Sequence, residues 1–395
     1  MPEPPLEVAD IFRIHGPAYR QAQRLPLHEH RLMEAIEACR TPRLGGVIEW
    51  CDHCHYEHIH YRSCRNRHCP KCQGLARAKW LEDRRGELLP VPYFHVVFTL
   101  PQPIASIAFY NKKEVYDILF RTVAQTLLTI AADPRRLGVE LGFFSVLHSW
   151  GQNLHFHPHL HCVVPGGGLS PDHDRWIPSR RQYLLPVEVL SALFRRLFLE
   201  ALEAAYAAGQ LQFFGALEGL RDPAAFARYL APWKKKKWVV YAKAPFGGPQ
   251  QVLEYLGRYT HRVAISNQRL RKLEDGRVSF DWKDYRDQEM KVMTVAAEEF
   301  IRLFLQHSLP TGLQRIRYYG FLANCHRALK LQLCRQLLNT PCLNLLPRPT
   351  DYRDFYAALT GRDLRRCPRC RIGTLQPMRT LFGCYGSVPM LVDTS

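Results

Sequence analysis

Residues Leu154 to Leu169 read Leu-His-Phe-His-Pro-His-Leu-His-Cys-Val-Val-Pro-Gly-Gly-Gly-Leu, with four alternating histidines: His155, His157, His159 and His161. Because side chains of a β-strand alternate between its faces, this spacing predicts a strand with the imidazoles on one face and apolar residues on the other. Pro165 and the glycines after it predict the end of that strand. A row of imidazoles offers nitrogen ligands to a divalent metal ion. The alternative is a surface histidine tract that binds metal only incidentally.

Apolar runs on both sides of this stretch predict further strands and helices in alternation. We expect strands at 94–100 and 143–147, a helix from Val115 to Ile130, and another that Pro186 opens and that ends before Gly209. Further expectations are helices at about Ala9 to Cys39, Gln250 to Thr260 and Thr294 to His307, and a hairpin at Glu274-Asp-Gly276. The pattern predicts an α+β fold in which helices flank a sheet.

The charge balance points to a polyanionic partner. Of the 395 residues, 54 are Lys or Arg and 36 are Asp or Glu, which gives a net charge of +18. Such an excess favours nucleic acid or an anionic membrane surface. No apolar run approaches the roughly 20 residues of a membrane span, and the start Met1-Pro-Glu-Pro-Pro does not resemble a signal peptide. We therefore expect a DNA partner and no membrane.

Cysteine pairs near the N-terminus predict a zinc site. The chain has 13 cysteines, an odd number with several Cys-x-x-Cys pairs, which favours metal binding in a reducing cytoplasm over disulfides. The spacing Cys-x2-Cys-x14-Cys-x2-Cys, close to that of a zinc ribbon, is formed by Cys51, Cys54, Cys69 and Cys72. Cys64 or His68, which lie between the two cysteine pairs, could replace one of these four zinc ligands. Four protein ligands leave no open position, so the expected Zn²⁺ is structural.

Basic residues are the candidates for DNA contact. Arg65 and Arg67 lie between the cysteine pairs and are expected to touch phosphate. A basic run between Trp233 and Trp238 is formed by Lys234, Lys235, Lys236 and Lys237. These lysines are expected to follow a DNA backbone while the tryptophans stack on bases, and a solvated charge run is the alternative.

Cys367-Pro-Arg-Cys370 is a lone knuckle in the basic C-terminal region. A second zinc site there would need completion by Cys334, Cys342 or Cys384, and unpaired thiols are the alternative.

Tyr255 and Tyr259 lie four residues apart, so both phenols share one face of the helix expected there. Together with a metal on the histidine strand, they suggest one reaction. The cation polarises a phosphodiester, and a tyrosine oxygen attacks phosphorus to leave a 5′-phosphotyrosine and a free 3′-hydroxyl. The 3′-hydroxyl of another strand can then reverse the step without ATP. For the tyrosine pair by itself, ordinary amphipathic packing is the alternative.

These motifs carry a family resemblance. His159-Leu-His161 resembles the His-hydrophobic-His motif of rolling-circle nucleases, and Tyr255 with Tyr259 resembles their tandem tyrosine motif. With the upstream cysteine knuckles and Tyr-Leu-Gly-Arg-Tyr-Thr-His-Arg-Val-Ala-Ile-Ser-Asn from Tyr255 to Asn267, the chain is similar to transposases of the insertion sequence 91 family from about Cys51 to Asn324. The resemblance implies an N-terminal zinc-binding domain, a His-hydrophobic-His catalytic domain, cleavage of single-stranded DNA at element ends, and rolling-circle transposition.

Carried over by position, the resemblance implies that His159 and His161 bind Mg²⁺ or Mn²⁺ and that Tyr255 and Tyr259 are the nucleophiles. His157 is our candidate for a third ligand. We expect three consecutive regions: a helical and zinc-binding domain at 1–90, a catalytic domain at 91–310 and a basic region at 311–395.

Other function classes share parts of this pattern. A plasmid replication initiator or relaxase would use the same chemistry, a zinc-ribbon regulator would bind DNA without a covalent adduct, and a metal-dependent hydrolase would use water as the nucleophile. The chain contains no Gly-Lys pair and hence no Walker element. Strand separation is therefore expected to come from replication, supercoiling or a host helicase.

Overall fold

The structure, a computed structural model, describes residues 6–180, 182–243, 251–252, 257, 263–284, 286–340 and 351–383. The chain divides into two compact units. Unit 1 comprises Met1–Trp80, His261–Ser308 and Leu345–Ser395, and unit 2 comprises Leu81–Thr260 and Leu309–Asn344. This division differs from the three consecutive regions expected from the sequence, because strands far apart in the chain pair within each unit.

The helices, in chain order, are α1 Val8–Ala22, α2 Leu27–Ala38, α3 Gln73–Arg85, α4 Gln102–Tyr110, α5 Lys112–Ala132, α6 Val187–Ala207, α7 Pro223–Lys235, α8 Ala297–Leu305, α9 Arg327–Leu337 and α10 Tyr352–Thr360. The strands are β1 Gly46–Cys51, β2 Glu57–Tyr61, β3 Tyr93–Thr99, β4 Gly142–Trp150, β5 Phe156–Pro165, β6 Gly167–Leu169, β7 Trp176–Pro178, β8 Val240–Lys243, β9 Leu270–Glu274, β10 Arg277–Lys283, β11 Met290–Ala296, β12 Ile316–Gly320 and β13 Leu375–Leu381. The α+β class predicted from the sequence is confirmed.

Unit 2 is built on a five-stranded antiparallel sheet of order β12-β4-β5-β3-β8. The histidine strand β5 is its central strand, and the strands expected at 94–100 and 143–147 are its neighbours β3 and β4. The register places His159 opposite His148 of β4, and His161 opposite Val146 of β4 and Val97 of β3. Residues directly opposite in an antiparallel pair share a face of the sheet. His148, His159 and His161 therefore share one face.

The opposite face of this sheet is the core of unit 2. Its side chains, such as Phe98 and Leu160, are buried against α4, α5 and α6. Burial of each such large apolar side chain contributes about 1.5–3 kcal/mol. The helix expected at 115–130 lies within α5, and the one expected after Pro186 is α6. Helix α5 is long and apolar enough to span a membrane, but its apolar residues are mostly buried in this core.

Unit 1 contains two three-stranded antiparallel sheets, of order β13-β1-β2 and β11-β10-β9. Helix α1 packs on α2 and on α8, where Phe12 meets Phe304 edge-on at a centroid distance of 5.3 Å. The hairpin expected at Glu274-Asp-Gly276 is confirmed as the β9–β10 turn.

Two helices differ from their expected ranges. The helix expected from Ala9 to Cys39 is divided into two helices, α1 and α2. Pro26 has an extended backbone conformation and is the N-cap residue of α2, so the first helix ends before it. The helix expected from Thr294 begins only at Ala297, since Thr294 pairs with Ser279 in the sheet and their hydroxyl oxygens lie 2.8 Å apart.

Candidate active site and metal centres

Three histidines of the unit 2 sheet form a compact cluster. One ring nitrogen from each of His148, His159 and His161 lies within 4.8 Å of the others, on two adjacent strands. Nε2 of His159 and Nε2 of His161 are 3.0 Å apart. Two adjacent ligands of an octahedral ion with bonds of about 2.1 Å are separated by about 3.0 Å. The nitrogens therefore fit a shared divalent cation.

A hydrogen bond sets the tautomer of His159 for metal binding, and a second contact orients His161. Nδ1 of His159 lies 2.6 Å from the carbonyl oxygen of His157, so Nδ1–H donates and Nε2 keeps its lone pair. Nδ1 of His161 lies 2.8 Å from Nε2 of the buried His95, and the two rings stack. Burial lowers the pKa of His159 to about 4 and that of His95 to about 3, with Lys243 adding to the effect on His95. Both rings are therefore neutral at physiological pH, the form in which histidine binds metals.

The third member of the cluster differs from the sequence expectation. His157 shares the face of His159, with ring centroids 5.2 Å apart, but the clustered nitrogens belong to His148, His159 and His161. His155 precedes β5 and is exposed. Sequence reasoning missed His148 and His95, although each is a histidine inside an apolar strand, an unusual setting for that residue.

Tyr255 and Tyr259 lie outside the described residues. Gln251, Val252 and Gly257, which are described, are helical. The placement of the two phenols beside the histidines stays a prediction.

The structure does not bring Cys51, Cys54, Cys69 and Cys72 together. It divides them between two clusters, each of four thiols within 4.8 Å of one another. Cluster 1 contains Cys39, Cys64, Cys69 and Cys72, and cluster 2 contains Cys51, Cys54, Cys367 and Cys370. The prediction that these four cysteines share one site is therefore wrong. Strands β1 and β2 form a hairpin that has Cys51 at its turn, whereas Cys64 lies beyond the other end, so the two cysteines are held apart. Cys334, proposed to complete the later knuckle, is in neither cluster, and Cys342 and Cys384 lie outside the described residues.

Cluster 1 joins the end of α2 to the loop after β2. Sγ of Cys72 is 3.5 Å from Sγ of Cys39 and 3.6 Å from Sγ of Cys64. Four thiolates at about 2.3 Å around a tetrahedral zinc ion are about 3.8 Å apart. The cluster therefore fits a structural zinc ion without a large rearrangement.

The predicted lysine run lies on the helical side of the sheet. Lys234 and Lys237 form ion pairs of 2.6 and 2.8 Å with Glu203 and Glu188 of α6, the helix that packs on the face opposite the histidines. Lys236 lies over the ring of Trp233. The prediction that bases stack on Trp238 is wrong, because this side chain is buried in the core.

Other cations lie on the histidine face. Lys243, exposed at the end of β8, is opposite His95, and the exposed Tyr241 precedes it on the same face. On the far strand, the hydroxyl of Tyr318 accepts a 2.6 Å hydrogen bond from Arg84, and the guanidinium of Arg327 lies 4.8 Å from the Tyr318 ring centroid.

The two arginines predicted to touch DNA lie in unit 1 beside cluster 1. Arg65 is exposed, at a positive φ of 54° directly after Cys64, and Arg67 is half-buried. Contact of these two arginines with phosphate stays a prediction.

Comparisons with known proteins show two matching family models. The family model described as "Transposase zinc-binding domain" matches residues 11–100, which include all of cluster 1, and the model described as "Putative transposase" matches residues 142–329, which include His148, His159 and His161. No solved structure matches the chain.

Two relatives extend the comparison. A Sinorhizobium fredii protein named "Putative transposase y4qJ" is 59% identical over 98% of both chains. The "Transposase for insertion sequence element IS801" of Pseudomonas savastanoi pv. phaseolicola is 29% identical over 73% of this chain and 68% of its own length. The chain therefore belongs to the insertion sequence 91 family of transposases.

Proposed function

We propose that the protein nicks and rejoins single-stranded DNA through a 5′-phosphotyrosine and so drives rolling-circle transposition of an insertion sequence. The observation that carries the proposal is the histidine cluster in the central strands, whose Nε2 atoms of His159 and His161 converge 3.0 Å apart. Imidazoles arranged in this way suit a divalent cation, and DNA-cleaving transposition needs activation of a phosphodiester.

In this proposal, His148, His159 and His161 hold a divalent ion, Mg²⁺ or Mn²⁺. When bound, the ion supplies positive charge to the phosphate oxygens on which negative charge builds during cleavage. The protein holds His159 in place through the carbonyl of His157, and His161 through His95. These contacts keep the ligand nitrogens pointed at one another before DNA binds.

The nucleophiles in the proposal are Tyr255 and Tyr259. One phenol loses its proton and its oxygen forms a bond to phosphorus, while the bond from phosphorus to the 3′-oxygen breaks and that oxygen leaves as a hydroxyl. The 5′ end then remains on the tyrosine. Attack by the 3′-hydroxyl of another strand restores the phosphodiester, and a second tyrosine allows a second strand to be held.

Zinc-bearing unit 1 is proposed to help position the DNA. The match of residues 11–100 to a zinc-binding domain supports this role, and we propose that the exposed Arg65 beside cluster 1 contacts phosphate. Since no Gly-Lys pair is present in the sequence, strand separation would come from host replication, supercoiling or a helicase. The proposed setting is the bacterial cytoplasm, at the nucleoid.

The test of this function is adduct formation. The full-length protein is incubated with Mn²⁺ or Mg²⁺ and with 5′- or 3′-labelled single-stranded oligonucleotides from the flanks of its own gene. We expect an adduct that resists boiling in detergent and retains the part of the strand beginning at the new 5′ end. DNA cleavage without an adduct would indicate a hydrolase, and binding with neither product would indicate a regulator.

DNA is expected to run along the histidine face rather than along the lysine run. Lys243→Ala should weaken binding of single strands of any sequence and lower the slope of log K against log salt by about 0.7 for one lost phosphate contact. Lys235→Ala, at the end of α7, is the matched control with the same charge change. Fluorescence anisotropy at several salt concentrations measures both. A larger loss for Lys235→Ala would place the DNA on the helical side instead.

His95 is expected to be a positioning residue for His161. His95→Ala removes the hydrogen-bond partner of Nδ1 of His161, and loss of such a partner typically weakens metal affinity by about 10–100-fold. Cleavage should then require more Mn²⁺ for half-maximal rate and recover at high Mn²⁺. His95→Gln keeps an acceptor oxygen and should lie closer to wild type. A loss of rate that no Mn²⁺ concentration restores, in both variants, would indicate a purely structural role.

A further inference from the structure

Cluster 2 joins two segments that are more than 300 residues apart in the chain. Sγ of Cys51 lies 3.6 Å from Sγ of Cys370, and Sγ of Cys54 lies 3.7 Å from Sγ of Cys367. These separations are close to the edge of about 3.8 Å of a tetrahedral zinc–thiolate centre. The later pair lies beyond residues 11–100 and 142–329, the ranges that the family models match.

The two knuckles have the same local geometry. Each places a residue with positive φ directly after its second cysteine, His55 at 55° and Arg371 at 59°. Each also directs a backbone N–H at a sulfur: Cys54 N–H at Sγ of Cys51, 3.5 Å, and Gly373 N–H at Sγ of Cys370, 3.3 Å. N–H groups that point at sulfur stabilise thiolates, the form that binds metal.

The loop after the second knuckle packs closely against the first. A Cβ at Gly373 would lie 2.5 Å from both Sγ of Cys51 and a carboxylate oxygen of Asp52, so only glycine fits there. Thr374 N–H donates a 2.7 Å hydrogen bond to that carboxylate, and Asp52 N–H donates to the Thr374 carbonyl. The chain therefore holds the knuckles face to face through its backbone as well as through the thiols.

Among the described residues, the buried apolar core at this end of the sheet is small. Cys51 and Cys367 are 0% and 1% exposed, and their buried apolar cluster contains one further member, Leu375. A small β-sheet with so small a core usually needs a metal or a disulfide. All four cysteines are free thiols, so no disulfide stabilises this end of the sheet in the described residues.

We propose that Cys51, Cys54, Cys367 and Cys370 hold a second structural zinc ion that fastens the C-terminal segment to the N-terminal zinc-binding domain. The ion lies at the turn end of the β1–β2 hairpin, whereas cluster 1 lies at the other end, where Gly46 pairs with Tyr61. Strand β13, which follows Cys370, completes the sheet along β1. The N-terminal domain can thus complete its folding only after the C-terminal segment has been synthesised.

Zinc content of paired variants tests the proposal in the full-length protein. With two cysteine clusters among the described residues, the wild-type thiol sites should hold two zinc ions per chain by elemental analysis. Cys51→Ser/Cys54→Ser, Cys367→Ser/Cys370→Ser and the variant with all four changes should each hold one, because both pairs share an ion. Cys69→Ser/Cys72→Ser should also hold one, and its combination with Cys367→Ser/Cys370→Ser none. Cys325→Ser, at an exposed cysteine outside both clusters, should keep both ions.

Several results would overturn the assignment: one zinc ion in wild type, no change in Cys367→Ser/Cys370→Ser, or iron in place of zinc. Because a variant can fail to fold, wild type is also alkylated before and after zinc chelation, and labelled cysteines are identified by mass spectrometry. The partly exposed Cys54 and Cys370 should react only after chelation, whereas the exposed Cys325 should react in both samples. Labelling of Cys370 before chelation would show that no ion protects it.

Discussion

The variant Tyr255→Phe/Tyr259→Phe is expected to form no covalent adduct with single-stranded DNA. Phenylalanine keeps the shape and packing of each ring but removes the oxygen that attacks phosphorus. Each single variant should still nick, because the other phenol, four residues away and on the same face of the helix expected there, is predicted to reach the same phosphate. The singles should fail in the complete transfer reaction, in which two strands are held in succession. Denaturing gels with labelled oligonucleotides separate adduct, nicked strand and rejoined product.

Tyr241→Phe is the matched control for this experiment. Tyr241 is 55% exposed and lies on the histidine face of β8, opposite Val97, so it is another phenol on the side of the sheet where the metal is expected. The control should form adducts at the wild-type rate. Adducts that persist in the Tyr255/Tyr259 double variant and disappear in Tyr241→Phe would move the nucleophile to β8. Undiminished DNA cleavage without adducts in the double variant would make water the nucleophile.

The variant His148→Ala is expected to lose most metal-dependent cleavage, as are His159→Ala and His161→Ala. Each removes one of the three clustered nitrogens, and weakened charge stabilisation of the transition state should lower the rate at least about a hundredfold. His157→Ala should have a much smaller effect, because the contact of His157 with His159 is made by its backbone carbonyl, which alanine also supplies. DNA binding without metal should survive in all four variants, since it depends on dispersed basic residues.

Cleavage rates and Mn²⁺ affinity, the latter from electron paramagnetic resonance of free Mn²⁺, decide this prediction. The comparison of His148→Ala with His157→Ala is the sharpest part, because both remove a histidine from the same face of the sheet. An equal loss of Mn²⁺ affinity in the two variants would return His157 to the ligand set. Full cleavage by His148→Ala would exclude His148 from it.

The sequence determined the histidine strand, because eight residues in which apolar side chains alternate with histidines indicate a β-strand. Strands β3 and β4, helices α5 and α6 and the β9–β10 hairpin follow from the same local signals: apolar periodicity, flanking prolines and a Gly-containing turn. Local signals also predicted that the cysteine pairs bind metal. These features depend on residues within a few positions of each other, so the linear pattern contains the information.

Only the tertiary structure decided which residues from distant segments meet. His148 and His95 join the histidine site through the register of β4 and β3 with β5, and a shift of one residue would turn each to the other face. Cys51 and Cys54 meet Cys367 and Cys370 because β13 pairs with β1, a contact across most of the chain. Spacing within one stretch cannot predict such pairings, since the free energy that selects them comes from burial and strand pairing over the whole unit.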